Sequence, residues 1–234
     1  DASGQASVAY RSGSGSTANN GVVLQATVAN APSVTGTATL TVNQKSLFIA
    51  LGTGNTITNL DPQTYRKDWV VYVTDSSGTP QDSVSLSVKA IPTNYLTGQM
   101  KFNGSTWTYV APIWSCRNED ANEDGILDKT PSNEDDNADS VLWPGNVIGV
   151  SPGSVQTVNG RATVSLTYAE SYAPWVELRL TATSNVAGTE SRTDALFVVD
   201  GLADDFASAT IKPAGAVSPF GLLPKTGAIC SQVL

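Results

Sequence analysis

The amino-acid sequence predicts an all-β protein with antiparallel strands, and three observations lead to this prediction. Ser, Thr, Val, Ala and Gly dominate the chain while Glu, Lys, Arg and Met are sparse, a composition that disfavours helices. Apolar and polar residues alternate with a period of two in several segments, and turn residues separate those segments at short intervals. Many short strands at such spacing indicate a β-sandwich, and only residues 202–209 are expected to form a helical turn.

Four segments show the alternation of half-buried strands, in which every second side chain faces the core and the others face water. In chain order, the apolar positions are Ala38, Leu40 and Val42; Val84, Leu86, Val88 and Ala90; Ala162, Val164, Leu166 and Tyr168; and Val176, Leu178, Leu180 and Ala182. The positions between them are Ser, Thr, Lys, Arg or Glu. The pattern predicts one strand for each segment.

Turn residues stand where hairpins need them. Asn103-Gly104 separates two short aromatic segments, and a dipeptide of this type favours a two-residue hairpin turn. Asn159-Gly160 directly precedes the third alternating segment. Residues 75–78, with the sequence Asp-Ser-Ser-Gly, are predicted to end one strand before the next begins.

An internal repeat of about 150 residues predicts tandem domains on one axis. Residues 4–10 resemble residues 160–168, and a second strand follows in both copies, at residues 22–28 and 176–182. A third strand then closes each copy. We therefore expect residues 1–43 to be the C-terminal strands of a preceding domain.

The remaining chain divides into a domain and a tail. Residues 46–200 are expected to form the second domain, with a long insertion at 91–158, and residues 201–234 form the tail. Half of a sandwich exposes its core face and its strand edges. The missing front half of residues 1–43 therefore belongs either to a longer chain from which this segment was cut, or to another copy that complements it with strands.

The net charge of the chain is concentrated in one segment. The whole chain carries −8, and residues 117–140 contain nine acidic and two basic residues, a charge of −7 that leaves −1 elsewhere. No Lys/Arg cluster exists to neutralise phosphates, so a nucleic-acid partner is not expected.

Several chemistries are excluded by composition. Without His, neither Ser-His-Asp nor Cys-His catalysis nor an imidazole metal site can form. No apolar run approaches the roughly 20 residues of a membrane helix, and no signal peptide precedes Asp1, so we expect a mature, soluble segment without membrane insertion. Nothing in the sequence indicates an active site, and we expect a protein that is not an enzyme.

The acidic segment contains two copies of the pattern D-x-N-x-D-[G/S]-x-L, which start fifteen residues apart. Ca²⁺ takes six to eight oxygens, and alternate side chains of a tight loop, together with the carbonyl of its seventh residue, converge on the ion. In the first loop the predicted ligands are Asp120, Asn122, Asp124, Asp128 and the carbonyl of Ile126. In the second loop they are Asp135, Asn137, Asp139 and the carbonyl of Val141.

Both loops depart from the EF-hand pattern at position twelve, where a bidentate Glu is expected. Pro131 occupies this position in the first loop and Asn146 in the second, and Ser140 replaces the sixth-position Gly. Glu134 or Asp136, or Asp128 itself, is expected to supply the missing carboxylate. The competing interpretation is a solvated acidic loop. If ions bind, we expect them to stiffen the loop rather than to regulate the protein.

The two cysteines indicate an oxidising compartment, outside the cell or on its surface. Cys116 opens the acidic segment and Cys230 lies near the C-terminus. A disulfide between them would pin the tail to the base of the acidic segment. The alternative is two buried free thiols.

Large aromatic residues are candidates for a carbohydrate-binding platform. They are Trp107, Tyr109, Trp114, Trp143 and Trp175. Aromatic residues at strand positions also serve as core residues, which is the competing interpretation.

The sequence resembles the bacterial immunoglobulin-like domains, group 1, of invasin- and intimin-type surface proteins. The resemblance rests on the Gly-x-Ala-x-Val-x-Leu-x-Tyr strand at 160–168, the strand and turn at 69–80, and the closing pair at 181–189. It is also similar to C-terminal surface-protein modules that share the motif at 116–128, Pro-Gly-Asn and a Ser-Pro-Phe-Gly segment followed by a Cys.

The resemblance implies an immunoglobulin-like antiparallel β-sandwich in a secreted or surface-attached protein. The implied role is a rigid stalk or fibre module whose partners are other copies or domains of the same protein. The alternative is an adhesin or glycan-binding module that contacts a host or surface glycan through residues 91–158. A fold by itself does not decide between them.

Overall fold

The computed structural model describes residues 4–10, 17, 20–42, 47–130, 133–186 and 189–234. Within these ranges the chain forms twelve β-strands, all paired antiparallel, and three 3₁₀-helices of three or four residues. The all-β prediction is therefore confirmed. The strands are β1 (Val22–Val28), β2 (Ala31–Leu40), β3 (Phe48–Asp61), β4 (Thr64–Thr74), β5 (Ser85–Phe102), β6 (Trp107–Arg117), β7 (Ile148–Ser151), β8 (Ser154–Gln156), β9 (Arg161–Ala169), β10 (Val176–Val186), β11 (Thr189–Val198) and β12 (Cys230–Gln232).

Two larger sheets share one hydrophobic core. The first has the order β11-β10-β5-β6-β12, with β8 paired to β5, and the second has the order β3-β4-β9-β7. Buried residues of both sheets, such as Leu180 of the first and Leu166 of the second, belong to the same apolar cluster. This arrangement is consistent with the predicted β-sandwich.

Three of the four alternating segments form the strands that the sequence predicts. Their apolar positions in β5, β9 and β10 are buried, and their polar positions are more exposed, because side chains alternate across a pleated strand. The fourth segment lies mostly in β2, where Ala38 is exposed and only Val42, just beyond the strand, is buried.

The predicted turns occupy their expected places. Residues 103–106, which begin with Asn103-Gly104, join β5 to β6 in a four-residue loop, and the Asn103 amide donates to the Thr106 carbonyl oxygen at 3.0 Å. Asn159 and Gly160 both have positive φ, 51° and 72°, immediately before β9. The predicted helical turn is a 3₁₀-helix at Ala203–Phe206, and two others lie at Glu170–Tyr172 and Ala214–Ala216.

One charged residue interrupts the apolar face of β4. Lys67 lies between Tyr65 and Trp69 on the inward face and is 6% exposed. Its ammonium pairs with the carboxylate of Asp200, which follows β11. A cation on a core-facing stripe needs such a partner because desolvation penalises an unpaired charge.

Strands β1 and β2 form a separate two-stranded sheet, in which Val22 lies opposite Leu40. In the repeat predicted from the sequence, β1 and β2 correspond to β10 and β11. Residues 5–10 are not in a strand, whereas their counterpart β9 is held between β4 and β7. The predictions for residues 1–3, 11–16, 18–19, 43–46, 131–132 and 187–188 lie outside the described residues.

The segment predicted as an insertion is partly continuous with the larger sheet. Residue 91 lies in the middle of β5, and β6 pairs with the second half of that strand. The tail adds β12 to the outer side of β6. The acidic segment therefore leaves the sheet at the end of β6 and returns to the opposite sheet at β7.

Candidate metal centre

The acidic segment is anchored at its base by the tail. Cys116 and Cys230 face each other in the pairing of β6 with β12 and form a disulfide, which confirms the predicted bond and excludes free thiols. At the next residue, the Arg117 amide donates to the Ile229 carbonyl oxygen at 3.0 Å. The Asn118 side chain then donates to the Pro92 carbonyl oxygen at 2.7 Å, which ties the start of the segment to β5.

The first loop is organised by side-chain oxygens that accept backbone amides. The Asp120 carboxylate accepts from the Gly125 amide at 3.0 Å, and Asn122 Oδ1 accepts from the Asp124 amide at 3.0 Å. Asp124 Oδ1 accepts from the Ile126 amide at 2.8 Å. The first, third and fifth residues thus fold the loop around their own oxygens.

The second loop has the same hydrogen bonds at the same positions. The Asp135 carboxylate accepts from the Ser140 amide at 3.1 Å, and Asn137 Oδ1 accepts from the Asp139 amide at 2.9 Å. Asp139 Oδ1 accepts from the Val141 amide at 2.9 Å. The repeat seen in the sequence is therefore also a repeat of local structure.

The backbone of the two loops agrees as well. The fourth residue has a positive φ in both loops, 63° at Glu123 and 59° at Ala138, and so has the sixth, 77° at Gly125 and 61° at Ser140. A non-glycine residue adopts this left-handed conformation at a steric cost. Ser140 therefore takes the turn for which a glycine was expected.

One buried glutamate directly precedes each loop, and its carboxylate accepts hydrogen bonds from the other loop. Glu134 precedes the second loop and is 2% exposed. Its Oε1 accepts from the amides of Ala121 and Asn122 at 2.9 and 3.2 Å, and its Oε2 accepts from the Asp128 amide at 3.1 Å. The carboxylate of Glu134 thus closes the first loop, from its second residue to its ninth.

Glu119 precedes the first loop, is 1% exposed, and makes the corresponding contact with the second loop. Its Oε2 accepts from the amide of Trp143, the ninth residue of that loop, at 2.9 Å. The backbone repeats the exchange: the Glu119 amide donates to the Trp143 carbonyl oxygen at 2.8 Å, and the Glu134 amide donates to that of Asp128 at 2.9 Å.

The surroundings of Glu119 disfavour its charge. Burial raises the pKa of the Glu119 carboxyl, and the nearby carboxylates of Asp139, Asp136 and Asp135 raise it further, although the hydrogen bond from Trp143 opposes them. Four carboxylates thus lie in one partly desolvated region.

Basic side chains pair with predicted ligands of the second loop, whereas in the first loop Arg179 pairs with Glu123, which is not a predicted ligand. Arg117 pairs with Asp136 at 2.9 Å, and Lys129 lies 3.7 Å from Asp135. In the first loop, Asp120, Asp124 and Asp128 form no ion pair within the described part of the chain.

Lys225 of the tail also reaches the second loop. Its ammonium contacts the Asp139 carboxylate and lies 4.0 Å from the centroid of the Trp143 ring. Burial opposes ionisation of Asp139, but hydrogen bonds from Lys225, Val141 and Trp143 bring the pKa of its carboxyl below the usual value. The second loop thus already carries a cationic partner from the protein itself.

The carboxylates of the predicted ligands do not converge in either loop. Across the described ranges, no three Asp, Glu, Cys or His side chains come together as a metal-binding group. In the first loop the Asn122 amide donates to both Asp124 and Asp128, at 3.2 and 2.9 Å. Calcium sites also use amide and backbone carbonyl oxygens, which both loops offer.

The loop pattern does not predict the capping by Glu119 and Glu134, although Glu134 is among the candidates for a missing carboxylate. The signal was present, because the fifteen-residue repeat extends one residue further upstream, to a Glu in both copies. No comparable sequence pattern indicates that Lys225 of the tail contacts the second loop.

The candidate aromatic platform is largely engaged in packing. Trp175 is fully buried, and its indole donates to the Gly215 carbonyl oxygen at 2.6 Å. Tyr109 contacts the Trp175 ring and donates to the Pro174 carbonyl oxygen, and the Trp107 indole donates to that of Ser208. The competing interpretation as core residues fits these contacts better.

Comparisons with known proteins leave the family open. No protein family matches the sequence, and no curated protein is significantly similar to it. Among solved structures, the chain is similar to the GAE domain of GGA2p from Saccharomyces cerevisiae, with 11% identity over 69% of this chain and 96% of that chain. The TM-score of 0.24 is too low to support an inference. No helix of the described residues is long and apolar enough to cross a membrane.

Proposed function

We propose that the protein is a non-catalytic extracellular module that binds Ca²⁺ in its paired acidic loops and uses the ions to rigidify the junction between its two sheets. The observation that carries the proposal is the repeated loop geometry. Both loops hold the first, third and fifth side chains by the same backbone hydrogen bonds, and both have positive φ at the fourth and sixth residues.

This geometry argues against a merely solvated acidic loop. In a solvated loop, repulsion would spread the carboxylates apart and leave them in water. Here Glu119, Glu134 and Asp135 are at most 6% exposed and lie within one short segment. Bound cations would compensate the −7 charge of residues 117–140, since each Ca²⁺ contributes two positive charges.

The position of the loops explains why ions would matter mechanically. The acidic segment runs from β6 of one sheet to β7 of the other, and the disulfide fixes the tail at its base. A segment without strands or helices gains stiffness when ions crosslink its oxygens. We therefore assign calcium a structural role, in an immunoglobulin-like module of the group 1 type whose disulfide suits an extracellular location.

Assembly with other copies is the second part of the proposal. One side of the β1–β2 sheet carries Val22, Leu24 and Ala26 opposite Leu40 and Ala38. Each of these residues is exposed or only half-buried. A strand-complementing segment of another copy or domain would cover this face, as strand addition does elsewhere. Sedimentation that shows only monomers at high protein concentration would contradict self-assembly, whereas binding of a glycan by such monomers would favour the adhesin alternative.

The calcium proposal is tested by thermal unfolding and limited proteolysis in Ca²⁺ and in chelator. Binding at roughly 100 times the dissociation constant stabilises by about 2.7 kcal/mol per site, a shift of about 5–10 °C for a chain of this size. We expect the ion to protect residues 117–143 from cleavage. The variant with both Asp124→Asn and Asp139→Asn is the matched control, and Mg²⁺ tests ion selectivity. An identical melting temperature and cleavage pattern in chelator would refute the proposal.

A further inference from the structure

One oxygen of Glu119 is buried without a hydrogen bond. Glu119 is 1% exposed, and its Oε1 has no partner among the residues for which the structure gives positions. Neither is the side chain in an ion pair within the described chain. Buried polar oxygens are almost always satisfied in folded proteins, so this one calls for an explanation.

The backbone holds this carboxylate at the second loop. Glu119 Oε2 accepts from the Trp143 amide at 2.9 Å, and the Glu119 amide donates to the Trp143 carbonyl oxygen at 2.8 Å. One of these hydrogen bonds holds the carboxylate of Glu119, and the other holds its backbone, against the ninth residue of the second loop. The carboxylate with the unpartnered oxygen therefore lies beside this loop, whose predicted side-chain ligands are Asp135, Asn137 and Asp139.

The second loop lacks oxygens where Glu119 meets it. Its ninth residue is Trp143, whose indole cannot ligate a metal, and its twelfth is Asn146 in place of a bidentate Glu. The first loop has Asp128 at the ninth position. The second loop by itself thus has fewer ligands than the six to eight that Ca²⁺ takes.

We infer that Glu119 is a ligand of the cation in the second loop, entering from outside that loop to supply the carboxylate missing at positions nine and twelve. The inference rests on the proposed calcium function and assigns a residue that the loop pattern does not contain. The free oxygen Oε1 is the ligand atom, while Oε2 keeps its bond to Trp143.

Glu134, the repeat partner of Glu119, has a different role. Its two oxygens accept three backbone amides of the first loop, from Ala121, Asn122 and Asp128. It is a positioning residue that shapes the first loop. The first loop already has Asp128 at its ninth position, so it depends less on a carboxylate from outside.

Calorimetric titration of the full chain with Ca²⁺ tests the inference. We expect two ions for the wild type, and for Glu119→Gln the ion of the second loop weakened by at least about tenfold and the ion of the first loop weakened much less. Glu190→Gln is the matched control, because it removes an exposed carboxylate of β11 that lies outside both loops. Glu119→Asp retains the charge but shortens the side chain, so it should also weaken the binding of this ion. It provides the test if Glu119→Gln does not fold.

The outcomes separate this inference from the proposal beneath it. If the wild type binds no Ca²⁺, the calcium function fails and the inference with it. If the wild type binds Ca²⁺ and both Glu119 variants bind the same number of ions with unchanged affinity, the calcium function stands and the role of Glu119 is refuted. In chelator, Glu119→Gln should melt no lower than the wild type, because it removes a buried charge among carboxylates.

Discussion

Glu119 and Glu134 each accept a hydrogen bond from the acidic loop that the other glutamate precedes. Each glutamate directly precedes one loop, and each accepts a hydrogen bond from the ninth residue of the other loop, Trp143 for Glu119 and Asp128 for Glu134. The backbone amides of the two glutamates donate to the carbonyl oxygens of the same ninth residues. Neither loop can rearrange without disturbing the carboxylate that the other loop contributes, so the pair behaves as one structural unit.

This exchange predicts that the two ions bind in a coupled manner. Asp124→Asn should disable the first loop and also weaken the remaining ion several-fold, because the position of Glu119 depends on the first loop; couplings of about 5- to 150-fold are typical. Calcium titration of the variant and the wild type measures the effect. Asp194→Asn, in β11, is the control, and an unchanged affinity for the remaining ion would show that the loops are independent.

Removal of the disulfide is expected to destabilise the protein strongly. Cys116 and Cys230 are separated by 114 residues, and a loop of this length corresponds to about 4.7 kcal/mol in the chain-entropy model, with 2–5 kcal/mol the usual loss. The variant with both cysteines changed to Ser should lose this amount of unfolding free energy in urea, as should the reduced wild type. A loss below about 1 kcal/mol would indicate that β12 holds the tail without the bond.

The buried ion pair of β4 predicts an asymmetry between its two partners. Asp200→Asn should cost about 2 kcal/mol because it leaves the Lys67 ammonium buried without a counter-charge, whereas the Asp200 side chain is 56% exposed and can be hydrated. Lys67→Met, which removes the charge and fills the space, should therefore cost less than Asp200→Asn. Urea unfolding of both variants measures this, and a larger loss for Lys67→Met would contradict the argument.

Glu170 gives a prediction for the effect of pH. Burial raises the pKa of its carboxyl above the ordinary value of 4.5, and the carboxylates of Asp205 and Asp61 raise it further. The folded state then binds the proton more tightly than the unfolded state, so stability is lost as pH rises through the folded-state pKa. Glu170→Gln should melt higher than the wild type at neutral pH, with a difference that shrinks towards pH 4 or below.

Asp194 serves as the control with the opposite sign. Hydrogen bonds from Arg192 and Thr181 bring the pKa of its carboxyl below the ordinary value of 3.8. The stability that the Asp194 carboxylate contributes to the folded state is therefore present above that pH and is lost on acidification. Asp194→Asn should therefore melt lower than the wild type at neutral pH and equal to it in acid. If both variants shift in the same direction, the pKa argument is wrong.

Local patterns of the sequence were sufficient for much of the fold. The stripe from Ala162 to Tyr168 predicts a half-buried strand because side chains alternate strictly across a pleated backbone. Asn159-Gly160 predicts a turn because both residues tolerate positive φ. The two loop patterns were visible for the same reason: their hydrogen bonds join residues only two to five positions apart. The ions that they are proposed to bind remain a prediction.

The contacts between distant parts of the chain were decided by tertiary structure. Lys67 occupies an apolar stripe only because Asp200, at the end of another sheet, supplies its counter-charge. Residues 5–10 match β9 in sequence, yet β9 is a strand because β4 and β7 flank it. A strand is stabilised by its neighbours, and no local pattern specifies them.

By itself, the sequence determined the antiparallel β class, the turns, the cysteine pair and the conformation of each acidic loop, since each depends on residue type and short-range hydrogen bonds. Only the tertiary structure decided that Glu119 accepts a hydrogen bond from the second loop and Glu134 from the first. It also decided that Lys225 of the tail pairs with Asp139 of the second loop. The reason is physical. Desolvation and charge compensation depend on which groups meet in space, and folding brings such groups together from positions as far apart as the 133 residues between Lys67 and Asp200.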